Sequence, residues 1–193
     1  MNTLVDTRGR IAWGIYADPV DHVNYLDYDL RTPMGTRIPK CLKQLMVNRF
    51  HFVGVVDPVL VAGIAVVDLA YLSSAFVYVY DRRTGVLTEQ NHISPTGRGT
   101  SIAPTPENPS SRFVSKKLSV HMTRDLVKVA SRNVRLSLRL DPSGTSPLRI
   151  CTRAGYTRWV FTQKTSPVRL EGTVSVGGVS HNVCGVGFHG SPR

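Results

Sequence analysis

The 193 residues include 24 Lys and Arg against 13 Asp and Glu, a formal charge of +11, and 41% are hydrophobic. That apolar fraction excludes a wholly disordered chain, and the length predicts one domain, with at most a small extra lobe. Three widely spaced cysteines (Cys41, Cys151, Cys184), with no Cys/His cluster at zinc spacing, argue against a disulfide framework or a structural metal; a reducing cytosol is the expected compartment.

At the amino terminus, Asp6, Arg8 and Arg10 break any apolar core that a signal peptide would need. Residues 1–48 are dense in turn formers (Asp18-Pro19, Asp27-Tyr28-Asp29, Thr32-Pro33) and sustain no period of 3.6. They are expected to form an irregular arm wrapping one end or edge of a sheet. From Phe50 the pattern changes: Phe50–Val56 reads as a strand, stopped by Asp57-Pro58. Leu60–Leu69 reads as a second strand, apolar on both faces. Its apolar core, between Asp57-Pro58 and Asp68, falls far short of the roughly 20 residues of a spanning helix. No transmembrane segment is expected.

A third strand, Ser74–Asp81, puts Phe76, Tyr78 and Tyr80 on one face, and Asp81–Gly85 is a hairpin turn leading into a fourth, Val86–Ile93. Residues 94–111 are expected to be a loop, because Pro104, Pro106 and Pro109 lack the donors of a central strand. Leu118–Thr123 and Val134–Asp141 then alternate strictly, the second with Val134, Leu136, Leu138 and Leu140 on one face. Further strands are predicted near Leu148–Cys151, Arg158–Thr162, Leu170–Val176 and Val179–Val183, with Gly177-Gly178 as the last turn. Many short strands in series, without long helical segments between them, predict an all-β antiparallel fold. The boundaries drawn are an arm at 1–48, a barrel or sheet at 49–185 and a tail at 186–193.

Few residues point to chemistry. Gly97-Arg98-Gly99 is a turn rather than a phosphate loop, and the six histidines show no metal-ligand spacing, so no metal and no cofactor are expected. Asp68, closing an apolar strand just before Tyr71, is either an acid raised in pKa by an apolar barrel or a cap on the following turn. Phe76 and Tyr78 line a cavity or pack a core. In the segment from Gly155 to Lys164, Trp159, Phe161 and Gln163 share one face, with Lys164 on the other. That pattern suits the wall around an amphipathic ligand and equally an exposed strand end. The arginines are spread from Arg8 to Arg193 without a dense run or interleaved aromatics, which argues against a nucleic-acid site.

Three blocks follow one another in order: Asn48–Gly54, Val66–Leu72, and Ala75–Gly85 (Ala-Phe-Val-Tyr-Val-Tyr-Asp-Arg-Arg-Thr-Gly). They continue into Cys151–Lys164 and Glu171–Val174. Together they resemble the bacterial family called domain of unknown function 2804, over about residues 15–185. The resemblance implies a distant kinship with the two-barrel, lipocalin-like group of hydroxyneurosporene synthase and tocopherol cyclase, hence a lipocalin-like barrel or curved open sheet. Those relatives act on lipid-like substrates by acid chemistry, and fold kinship alone transfers no activity.

Family members usually continue into a second barrel, whereas here Gly185–Arg193 stands at that place, so the chain is read as a truncated member or a partner-dependent half. The leading expectation is binding of a hydrophobic or amphipathic small molecule of isoprenoid or fatty acyl type. Phe76, Tyr78 and Trp159 would line the cavity, with Tyr71 beside them and Asp68, Gln163 or Lys164 as polar anchors. The alternatives are half of a hydratase, cyclase or isomerase using Asp68 as acid, and a basic surface for nucleic acid or anionic membrane. Self-association through the uncovered apolar surface is also expected.

Overall fold

Alternating side chains become a single antiparallel sheet in the computed structural model, which describes residues 2–95, 97–155 and 157–192. The arm contributes one short strand, β1 (Gly14–Ile15), and one six-residue helix, α1 (Lys40–Leu45). Next comes a meander of β2 (Arg49–Val56), β3 (Leu60–Asp68), β4 (Leu72–Asp81) and β5 (Leu87–Pro95). A second meander contains β6 (Thr100–Ile102), β7 (Ser110–Val114), β8 (Leu118–Thr123), β9 (Leu126–Ser131) and β10 (Val134–Asp141). The chain closes with β11 (Leu148–Ala154), β12 (Arg158–Val176) and β13 (Val179–Pro192).

The order across the sheet is β5-β4-β3-β2-β13-β12-β10-β9-β8-β7-β6, with β11 paired to the first part of β12 and β1 to β11. The sheet curls into an open half-barrel: β6 packs across β2 and β3 without joining their ladders. Residues of period two fill the inside, among them Val53, Val55, Ile64, Val77, Phe113, Leu138 and Val174. Each such side chain removed from water contributes roughly 1.5–3 kcal/mol, which is what holds the curl. A second, smaller core of Leu4, Val5, Ile11, Val20, Val23, Cys151 and Phe161 lies between the arm and the β11–β12 hairpin.

Four differences from the sequence reading have local causes. Arg158–Val176 is one strand of 19 residues rather than two, because a bulge between Thr165 and Val168 takes up Pro167, which has no ladder donor. Val179 continues in strand to Pro192 along the stretch read as a tail, pairing with β12 and with β2. Within the expected loop 94–111, Thr100–Ile102 forms the sheet's last strand and Ser110 begins β7. The strand β9 went unread because Val127 and Val129 give only one cycle of alternation. Among the described residues no helix is long and apolar enough to cross a membrane.

Candidate functional site

The arm meets the β11–β12 hairpin through aromatic edges. Tyr16 stands edge-on to Phe161 with centroids 6.1 Å apart, and Tyr28 edge-on to Trp159 at 6.2 Å. Asn24 pins the arm to itself: its amide oxygen accepts the Val5 N–H at 2.9 Å and its amide nitrogen donates to the Val5 carbonyl at 3.0 Å. Where the arm leaves this contact, a cavity of about 250 Å³ opens, walled by Tyr25, Tyr28, Met46, Ala154, Trp159 and Val160. That is slightly below the roughly 300–1,000 Å³ of drug-sized sites, so it suits a compact ligand or part of a longer one.

Three cations reach this cavity: Lys43, Arg49 and Arg158. Lys43, on α1, is only 5% exposed, and its ammonium donates to the carbonyls of Leu26, at 3.0 Å, and Tyr28. Burial pushes its pKa below the ordinary lysine value. Arg49 donates to the Tyr25 hydroxyl at 2.8 Å, and its guanidinium carbon lies 5.5 Å from that ring's centre, a cation–π geometry. Arg158 is exposed and has no ion-pair partner among the described residues.

The residues singled out from sequence fall in five places. Trp159 lines the cavity. Asp68 stands opposite Arg49 in the β2–β3 ladder, 3.5 Å from it, and accepts the Ala70 N–H at 3.0 Å, so it caps a turn whose Ala70 has φ of 68°. Tyr71, in that turn, is 65% exposed. Phe76 and Tyr78 lie on the outside of β4, where Phe76 joins Phe50, Phe52 and Phe188 in a ring cluster over the neighbouring strands. Gly63 leaves the space beneath Tyr78, since a Cβ there would sit 2.4 Å from its ring. Gln163 is buried inside the sheet, where its amide donates to the Pro106 carbonyl at 3.1 Å and its oxygen has no partner among the described residues. Lys164 is exposed on the opposite face. Tyr156, in the same segment, lies outside the described residues.

A second polar group sits within the curl. His51 shares a hydrogen bond of 2.7 Å with the Ser111 hydroxyl through Nδ1, and its Nε2 contacts Nε2 of His189. Burial, with Arg124 nearby, pushes the His189 pKa down to about 4. No cluster of three or more metal-ligating side chains occurs among the described residues. Cys151 lies in the small core, where burial raises its thiol to about 12, so it is an inert packing residue.

The sequence profile of the family described as domain of unknown function 2804 matches residues 2–190. The chain belongs to this family. No curated protein matches it. Among solved structures it is similar to an AttH candidate from Nitrosomonas europaea, with a TM-score of 0.55 and 14% identity over 76% of this chain. The match covers 51% of that protein, so this chain spans about half its length. At such identity the likeness concerns fold, and it bears out the curved, lipocalin-like antiparallel architecture.

Sequence reasoning missed Tyr25, Tyr28, Lys43, Arg49 and Arg158. Tyr28 and its neighbours have the composition of turn formers, and nothing local in the arm indicates that it folds back over Trp159. Helix α1, which carries Lys43, is too short to leave a period. The signal that was available is Arg49, in the same family-like block as the start of β2.

Proposed function

We propose that this domain binds a small hydrophobic or amphipathic molecule, of isoprenoid or fatty acyl type, in the cavity between the arm and the β11–β12 hairpin. The observation that carries the reading is the wall: Tyr25, Tyr28 and Trp159 offer aromatic faces and edges to one half-open space, with cations at its side. Tyrosine and tryptophan combine apolar area with a polar tip, the combination that suits a ligand with an oily body and a polar end. Asp68 serves this site indirectly, by holding Arg49 on the β2 side of the cavity. The lipocalin-like fold is compatible with such a role and does not specify the ligand.

Native mass spectrometry after gentle purification tests the reading, with tryptophan fluorescence as a second readout. A co-purified small molecule that is lost on Trp159→Ala, in a variant that melts like the parent, is the expected result. A bare protein whose fluorescence responds to none of a panel of fatty acids, fatty alcohols and isoprenoid alcohols would sink it.

A further inference from the structure

Lys43 has no anion of its own. It is enclosed, it spends two of its three N–H donors on the carbonyls of Leu26 and Tyr28, and it forms no ion pair among the described residues. The two carboxylates that act on it electrostatically, Asp29 and Asp27, are already engaged. Asp27 pairs with Lys40 at 3.0 Å and accepts from Asn24, while Asp29 pairs with Arg31 and Arg37, each at 2.9 Å. Backbone carbonyls solvate an ammonium without neutralising it, and an enclosed charge that Asp29 and Asp27 offset only from a distance, against Arg37 and Lys40, is expensive to hold. This one borders the aromatic cavity, with Arg49 and Arg158 also on the lining, and on its other side it borders an open cleft that holds Asp6 and Asp27. Arg49 is partly offset by Asp68, and among the side chains lining the aromatic cavity there is no carboxylate.

Resting on the reading above, we infer that the ligand is an anionic amphiphile whose single acidic head, a carboxylate or a phosphate monoester, pairs with Lys43 while its apolar body lies against Tyr28 and Trp159. Lys43 then performs two tasks: its bonds to Leu26 and Tyr28 shape the arm, and its remaining donor takes the head. A neutral alcohol or ester of the same chain fits the aromatic wall equally well and leaves the ammonium without a contact anion.

The test varies the ligand first, because Lys43 also supports the arm. Binding of decanoate, decyl phosphate, decanol and methyl decanoate is followed by Trp159 fluorescence in a Trp13→Phe background, at neutral pH and low salt. The expected result is that one or both anions bind at least tenfold more tightly than decanol and the ester. Lys43→Met should then reduce that preference severalfold. Preference for decanoate or for decyl phosphate distinguishes a fatty acid from a phosphorylated lipid as the source of the head. Equal affinity for all four ligands overturns the inference and leaves the hydrophobic-ligand reading standing. Failure of all four to bind takes down both. If Lys43→Met does not fold, a tenfold preference that weakens in added salt still supports the ion pair, and a salt-independent one overturns it.

Discussion

Mild acid should destabilise this protein before its carboxylates can account for it. His189 is enclosed against His51, with Ser111 on the far side of His51 and with Arg124, Glu107, Gln163 and Thr165 around the same small recess. In the fold its pKa is near 4, against 6.5 for a free imidazole. Below about pH 6.5 the unfolded chain therefore takes up a proton that the fold refuses. Stability is complete above that value, falls as the pH drops towards 4, and loses nothing more from this group below 4, where both states are protonated. That depression corresponds to a loss of ~3 kcal/mol, large against the 5–15 kcal/mol that typically separates folded from unfolded states. The depressed carboxylates Asp6, Asp27, Asp29, Asp81 and Asp141 act in the same direction, but mainly as the pH falls through and below 3.8, so most of the interval between 6.5 and 4 precedes them. Urea midpoints measured from about pH 7.5 to about 4.5 should fall progressively at unchanged m-value. His189→Gln should flatten most of that slope. A wild-type midpoint that is constant over this range, or a variant that declines as steeply, would refute the reasoning.

Three further outcomes are expected. Gly172 lies on β12 with φ of 148°, and an added Cβ would meet the Ser137 carbonyl oxygen at 2.1 Å; Gly172→Ala should cost roughly 3 kcal/mol or more, read as insoluble expression or a large fall in Tm. Phe161→Ala empties the small core beneath the arm, so a loss of about 3–5 kcal/mol and early proteolytic cleavage within residues 1–48 should appear together. Asp68→Asn removes the partly exposed ion pair with Arg49 while the Tyr25 contact remains; a change of about 1 kcal/mol or less in thermal or urea unfolding is expected.

What was legible in the sequence follows from distance along the chain. Val134–Asp141 is read correctly because one strand with one buried face prints its geometry locally, and β3 is read from its unbroken apolar run, buried on both faces. Outward and inward are not printed in the same way. The stripe of Phe76 and Tyr78 reads as a possible cavity wall, yet Ala75, Val77 and Val79 face the core and the aromatic side chains lie outside. Larger residues on one face do not identify the buried one when the opposite face is all β-branched or small. Trp159 was identified because its own strand carries the mixed pattern. Its partners Tyr28 and Lys43 come from more than a hundred residues earlier, and no short-range rule joins them. The continuity of β12 was hidden by Pro167, whose effect on a strand depends on whether a bulge receives it.

The position of β13 has a consequence for how the chain is made. β2 and β12 never pair with each other; the strand between them is the last of the described strands in chain order. As the polypeptide emerges from the ribosome, the β2–β5 meander must wait with one side of β2 unpaired while more than a hundred residues follow it. Contacts so distant in sequence make for slow closure. An exposed ladder is also an invitation to other chains during that wait. The two meanders become one sheet only when β13 slides between them, so a nascent chain arrested before Val179 would present two open edges instead of a shorter version of the finished fold.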